Sequence, residues 1–201
     1  MFPWKRKLVL EILKLSDGHS LDISCDDSAA KSDILTNIRD MDVGNIPYLR
    51  LNNCQLVETF AEIVERVNGD PLAVRSLTMT FTKYENQTLR GPHFHGLINL
   101  VNLTLDHNEI NVVGEDFFIH LPRLEVLNLN NNPGLELHRR TLQHCPILKV
   151  LQLANCEIKN LSTDIFKNLV NLRKLNLHNN KLENDIDGVV EAGDVQVTMD
   201  T

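Results

Sequence analysis

His93 and His95, separated by one residue, have a spacing that could begin a metal site. Imidazole nitrogens bind zinc, but a site needs further His, Cys, Asp or Glu ligands, and the sequence places none at a ligand spacing from this pair. The serines form no nucleophile-elbow motif, and the nine glycines form no phosphate-binding G-x-G-x-x-G or G-K-[ST] motif. We therefore expect no catalytic residues, no metal, no cofactor and no enzyme activity.

Another chemistry, N-linked glycosylation, is available to three Asn-x-Ser/Thr sequences, which begin at Asn86, Asn102 and Asn160. These asparagines are acceptors only if the chain passes through the secretory pathway. An asparagine-rich sequence also contains such matches by chance. We favour Asn86, because it lies in a polar insertion, whereas a glycan at Asn102 would restrict access to the strand face described below.

A repeated pattern predicts the elements that position these groups. The template Leu-x-x-Leu-x-Leu-x-x-Asn-x-Leu begins at residues 100, 124, 148 and 172, and a good and a degenerate match begin at 46 and 74. A second periodic row, six residues before each following start, holds Phe94, Phe118, Leu142 and Phe166. The pattern predicts an α/β solenoid, a leucine-rich-repeat horseshoe with short parallel concave strands and about six repeats of roughly 24–28 residues.

Strand geometry explains why these residue types recur. Alternate side chains of a strand point to opposite faces, so both leucines of each Leu-x-Leu point inward and their neighbours face solvent. The asparagine at the ninth template position follows the strand, where its buried amide can bond the backbone of adjacent coils. The pattern therefore predicts a structural asparagine ladder of Asn108, Asn132 and Asn180.

The four cysteines are interpreted from their places in this template. Cys54 and Cys156 take the asparagine position and Cys145 takes a buried leucine position, so small core residues are one interpretation for all three. Cys25 ends a strand-like stretch before the first repeat, and a disulfide from Cys25 to Cys54 is expected if the chain is secreted. We interpret Cys145 and Cys156 as core residues.

Composition and charge divide the chain and limit its partners. We expect an amino-terminal flank and cap at 1–45, repeats at 46–182, and an acidic tail at 183–201 that is disordered. The net charge of −7 offers no basic surface for phosphates, so we expect no nucleic-acid partner. No apolar run reaches the length of about 18 residues that a membrane span needs. The chain starts with the basic flank of a signal peptide, but the apolar stretch that follows is interrupted by Glu11 and Lys14.

The outward positions of the concave strands are the candidate binding surface. They are low in charge and include apolar and aromatic side chains, in contrast to a purely solvated Lys- and Glu-rich face. We expect a protein ligand to contact part of this surface. The candidate contact residues are Tyr48, Arg50, Asn52, Thr78, Thr80, Thr104, Asp106, Asn128 and Asn130.

The first hundred residues carry a more specific pattern than the repeats. A cysteine ends the stretch 15–25, the segment DVG follows at 42–44, and a short hydrophobic strand at 48–54 ends in cysteine again. A helix-like segment at 60–67 and a long second coil that holds Asn86 come next. In order and spacing the chain resembles the amino-terminal part of the leucine-rich-repeat ectodomain of insect Toll-type receptors.

The resemblance implies an extracellular or cell-surface receptor segment whose concave coils bind a dimeric cystine-knot cytokine of the Spätzle type in innate immune or developmental signalling. A receptor partner is a further binding candidate. This sequence contains no membrane span, signalling domain or Cys-rich carboxy-terminal cap, so a truncated gene product remains open. Two other classes also remain open: a cytosolic leucine-rich-repeat adaptor or phosphatase-type subunit, and a secreted matrix repeat protein.

Overall fold

The computed structural model describes residues 8–15, 18–25, 44–54, 59–81, 87–183 and 195–199. The strands are β1 (Leu8–Leu15), β2 (Gly18–Cys25), β3 (Tyr48–Asn52), β4 (Ser76–Thr80), β5 (Thr88–Leu89), β6 (Asn102–Thr104), β7 (Val112–Val113), β8 (Val126–Asn128), β9 (Val150–Gln152), β10 (Lys174–Asn176) and β11 (Gln196–Thr198). The helices are α1 (Phe60–Arg66) and the 3₁₀ helices Pro71–Ala73, Gly91–Phe94, Phe117–His120 and Thr163–Phe166.

One large sheet organises the molecule. Among the described residues, nine strands form it in the order β1-β2-β3-β4-β6-β8-β9-β10-β11, and β5 and β7 form a separate pair. β1 and β2 pair antiparallel, and every later pair in the large sheet is parallel. The buried Leu103, Leu127, Leu151 and Leu175 lie in register on successive strands. This single row confirms the predicted leucine-rich-repeat solenoid.

Aromatic rings fill the core behind the sheet. The ring centroids of Phe60 and Phe94 are 4.7 Å apart, and those of Phe94 and Phe117 are 4.8 Å apart. Phe118, a member of the periodic row, is also fully buried, and its ring centroid lies 4.6 Å from that of Phe117. The 3₁₀ helix that begins at Phe117 turns two consecutive residues inward, which the repeat spacing alone does not predict.

The first coil, which begins at residue 46 and precedes the repeat start at 74, holds the α-helix. Thr59 caps α1 by accepting a hydrogen bond from the backbone N–H of Glu62 at 3.3 Å. Phe60, Ile63 and Val64 lie on the buried side of α1 at the i, i+3, i+4 spacing of an amphipathic helix. The helix-like pattern of the sequence therefore corresponds to a short helix that covers the core.

A hairpin begins the described part of the solenoid. Leu21 and Ile23 of β2 are buried and pair in parallel with Leu49 and Leu51 of β3, so β2 extends the inward rows by one strand. The strand-like stretch that ends at Cys25 is β2, and β1 pairs with it on its outer side. Much of the predicted cap, 26–43, lies outside the described residues.

The carboxy-terminal end departs from the expectation of a disordered tail at 183–201. β11 pairs in parallel with β10 and places Val197 beside the buried Leu175. Val195 and Val197 are partly buried against the core, which gives this short segment apolar contacts that a leucine search overlooks. The segment 184–194 lies outside the described residues.

Candidate ligand-binding surface

The outward side chains of the parallel strands form rows across the concave face. The first row begins at the buried Ser20 and continues with Tyr48, Ser76, Asn102, Val126, Val150 and Lys174. The second row holds Asp22, Arg50, Thr78, Thr104, Asn128, Gln152 and Asn176. The seventh template positions, at the carboxyl ends of the strands, hold Asn52, Thr80, Asp106, Asn130, Ala154 and His178.

The nine predicted contact residues belong to one continuous part of this face. They lie on β3, β4, β6 and β8 or two residues after the end of one of these strands, and the four strands are consecutive neighbours in the sheet. Arg50 and Asn52 are exposed, and the other seven are half-buried. The fold therefore brings all nine together, and ligand contact by them stays a prediction.

Hydrogen bonds between neighbouring strands hold several of these side chains in place. The guanidinium of Arg50 donates to the Asp22 carboxylate of the preceding strand at 3.2 Å. The hydroxyl of Thr80 donates to Oδ1 of Asn52 at 3.1 Å. A surface whose side chains are already fixed loses less conformational entropy when a partner binds.

The eighth template position forms the margin of this surface, directly after the seventh. Its backbone is left-handed in each of the six coils that begin at residues 46 to 172. The residues and φ angles are Asn53 (55°), Phe81 (53°), His107 (56°), Asn131 (56°), Asn155 (58°) and Asn179 (54°). The leucine template does not predict this position. Asparagine in most coils is a usable signal for it, because asparagine adopts left-handed backbone more readily than most residues.

Behind the surface, Asn132 bonds two adjacent coils. It is fully buried, and its Oδ1 accepts hydrogen bonds from the backbone N–H groups of Asn108 and Ile110 at 3.1 and 3.0 Å. Its Nδ2 donates to the carbonyls of Leu105 and Leu129, both at 2.9 Å. One side chain thus provides hydrogen-bond partners for buried backbone groups of both coils.

The other two predicted ladder asparagines take equivalent places. Oδ1 of Asn180 accepts from the backbone N–H groups of Cys156 and Ile158 at 3.2 and 3.0 Å. Nδ2 of Asn108 donates to the carbonyl of Met79 at 2.9 Å. The ladder fixes the spacing of the coils and so the geometry of the concave face.

Cys156 takes the asparagine position in its own coil. Its thiol donates to the carbonyls of Leu129 and Ala154 at 3.1 and 3.4 Å. The thiol is therefore the donor that the side-chain amide of asparagine provides in the other coils. Burial raises the pKa of the Cys156 thiol to about 11 and that of the buried Cys145 thiol still further. Both are free thiols, and both are kept neutral at physiological pH.

We expect these two thiols to resist iodoacetamide at pH 8 in the folded protein, because only the thiolate reacts. Urea should expose both thiols to rapid alkylation, and mass spectrometry counts the groups that are added.

The contribution of the neutral Cys156 thiol to the free energy of unfolding should be fully present below the unfolded thiol pKa of 9.0. It should be lost as the pH rises through about 11, where the folded Cys156 thiol ionises. A Cys156→Ala variant should lose less stability over that range, and equal losses would contradict the assignment.

Cys25 and Cys54 form a disulfide in the structure, with their Cα atoms 5.0 Å apart. The parallel register explains the contact: Ser24 of β2 pairs with Asn52 of β3, so Cys25, the last residue of β2, lies close to Cys54, two residues after β3. The bond closes a sequence separation of 29 residues and links the amino-terminal hairpin to the first coil.

The two glycosylation candidates that the structure describes differ in accessibility. Asn160 is exposed in the loop that follows Ile158. Asn102 is half-buried and lies in the first row of the concave face, on β6. Asn86 lies outside the described residues.

The histidine pair stays apart from this surface. His93 belongs to the 3₁₀ helix Gly91–Phe94, and the ring of His95 faces that of His120 with centroids 6.0 Å apart. Within the described residues, no three His, Cys, Asp or Glu side chains converge as a metal site would require. No helix in that part of the chain is long and apolar enough to cross a membrane.

Comparison with known proteins gives consistent matches. A family model described as Leucine rich repeat matches residues 87–133, 98–158 and 146–188. The CD180 antigen of Mus musculus is 25% identical over 165 residues, which cover 74% of this chain and 25% of that protein. The chain therefore spans about a quarter of the length of this relative.

Two solved structures are similar in fold. One is the complex of TLR13 with ssRNA13, with a TM-score of 0.65 and 23% identity over 78% of this chain and 22% of that chain. The other is the glycosylated form of the Drosophila Toll–Spätzle complex, with a TM-score of 0.70 and 13% identity over 86% of this chain and 26% of that chain. Because the first of these structures is a complex with RNA, the expectation that the net charge excludes a nucleic-acid partner is not supported.

Proposed function

The chain belongs to the leucine-rich-repeat family, and we propose that it is a ligand-binding segment of a Toll-like receptor ectodomain. As a protein of this class it is a binding protein and not an enzyme. The observation that carries the proposal is the continuous concave surface over β3, β4, β6 and β8, whose side chains are polar, partly fixed and open to a partner. Similarity to the CD180 antigen, TLR13 and Toll supports the receptor class.

The proposed ligand is a protein of the cystine-knot cytokine type, in innate immune or developmental signalling. Support comes from the resemblance of the first coils to insect Toll-type receptors and from the similarity in fold to the Toll chain of the Toll–Spätzle complex. A second receptor chain is a further proposed partner. The nine candidate residues from Tyr48 to Asn130 are the proposed contacts.

The proposed location is outside the cell or at its surface. The Cys25–Cys54 disulfide supports it, because disulfides persist in oxidising compartments and are rare in the cytosol. We propose glycosylation at Asn86, Asn102 and Asn160, with the exposed Asn160 the most accessible of the two described acceptors. A glycan on protein secreted from cells, found by mass spectrometry, would distinguish this proposal from the cytosolic adaptor class.

A binding measurement tests the proposed surface. We expect immobilised protein to bind purified Spätzle in surface plasmon resonance, and Thr104→Arg to weaken that binding at least about tenfold, or ~1.4 kcal/mol. Thr104 lies in the second row between Thr78 and Asn128, so a long cation there obstructs the centre of the face. Ile119→Arg is the matched control, since Ile119 is 57% exposed in the 3₁₀ helix Phe117–His120, away from the sheet.

Both variants must keep the urea midpoint of the wild type for the comparison to be valid. Absence of wild-type binding would count against the cytokine ligand and favour the secreted matrix class. Equal weakening by Thr104→Arg and Ile119→Arg would count against the concave face.

A further inference from the structure

Phe81 is the exception among the left-handed residues at the margin of the concave face. Four of the six are asparagine, and His107 is of a type that also tolerates this backbone conformation. Phenylalanine is bulky and does not, so its φ of 53° is a strained conformation. Phe81 therefore occupies a position where asparagine would stabilise the fold.

Burial does not compensate for this strain. The Phe81 side chain is 56% exposed, whereas Phe60, Phe94, Phe117 and Phe118 are fully buried. A large aromatic side chain that leaves water on folding is a major source of stability, and Phe81 contributes little of this kind. The strain and the exposure together indicate a residue retained for contact with another molecule.

A small cluster surrounds the exposed ring. The centroid of the Phe81 ring is 5.3 Å from that of His107, and Nδ1 of His107 is 3.0 Å from the Asp106 carboxylate. Phe81 directly follows Thr80, and Asp106 directly precedes His107, so the cluster adjoins one predicted contact residue and contains another. It extends the candidate surface by an apolar anchor and a partly exposed negative charge.

We propose that Phe81, supported by His107 and Asp106, anchors the protein ligand at the margin of the concave face. The complementary partner surface is an apolar pocket for the ring beside a lysine or arginine that pairs with Asp106. Exposed aromatic anchors of this kind carry a large share of the binding energy in protein interfaces. The inference rests on the proposed function and names the chemistry that the ligand must present.

The substitution Phe81→Asn separates stability from binding. It should raise the urea midpoint of the protein, because asparagine relieves the left-handed strain and little buried area is lost. It should also weaken binding of purified Spätzle at least about tenfold in surface plasmon resonance. Ile119→Asn, at a similarly exposed apolar residue, should change neither quantity in this direction.

The outcomes distinguish this inference from the proposed function. A wild type that does not bind Spätzle overturns both. A wild type that binds, with Phe81→Asn equally tight or no more stable, overturns the inference alone. A second copy of this chain is the other candidate partner for Phe81, and sedimentation of the wild type and of Phe81→Asn tests it. A wild-type dimer that dissociates in Phe81→Asn would overturn the ligand assignment.

Discussion

Replacing Asn132 with alanine is expected to lower the free energy of unfolding by about 4 kcal/mol, because it leaves several buried backbone groups without hydrogen-bond partners. The groups that lose their partner are the N–H groups of Asn108 and Ile110 and the carbonyl of Leu105. Water cannot replace the side chain easily, since Asn132 is fully buried. Urea unfolding followed by far-ultraviolet circular dichroism measures the loss.

Asn171→Ala is the control with the same chemical change. Asn171 is half-buried and donates to the Pro146 carbonyl at 2.8 Å, a group that solvent can reach. Its replacement should cost less than about 1 kcal/mol. If the two substitutions cost the same, the buried ladder would not be what holds adjacent coils together.

Removal of the disulfide is expected to have an effect of similar size. The variant with both Cys25→Ser and Cys54→Ser should lose about 3–4 kcal/mol of unfolding free energy. The reason is that the unfolded chain regains the conformational entropy that a cross-link over a sequence separation of 29 residues removes. The amino-terminal hairpin should separate from the first coil before the rest of the protein unfolds. Urea unfolding with and without dithiothreitol measures both effects.

Dithiothreitol provides the internal control. It should lower the wild-type midpoint to that of the double variant and leave the variant itself unchanged, since Cys145 and Cys156 are free thiols. A wild-type midpoint that does not respond to reduction would show that the bond contributes no stability in solution.

The repeat interval was enough to predict the part of the fold that positions the site. Leu103, Leu127, Leu151 and Leu175 share one template position, and parallel pairing must bring such positions together when every coil has the same length. The concave rows follow directly from strand alternation. The same alternation predicts that the nine candidate contact residues share one surface.

Features without a repeat signal could not be predicted in this way. β11 lacks leucine, and its contacts through Val195 and Val197 depend on tertiary packing. The inward turn of Phe117 depends on the local 3₁₀ geometry. The strain at Phe81 appears only when its backbone angle and its exposure are known together, because the residue type alone suggests a core position.

The two ends of the large sheet are held unequally. One is stapled covalently through Cys25 and Cys54, whereas the other ends in β11, whose pairing with β10 spans three residues on each strand. In a chain of stacked coils each coil is stabilised by its neighbours, so local unfolding starts at the less stable end and propagates from coil to coil. The coils nearest the disulfide, which carry Arg50, Thr80 and Phe81, then unfold last. The proposed ligand contacts would therefore persist after the carboxy-terminal coils have unfolded.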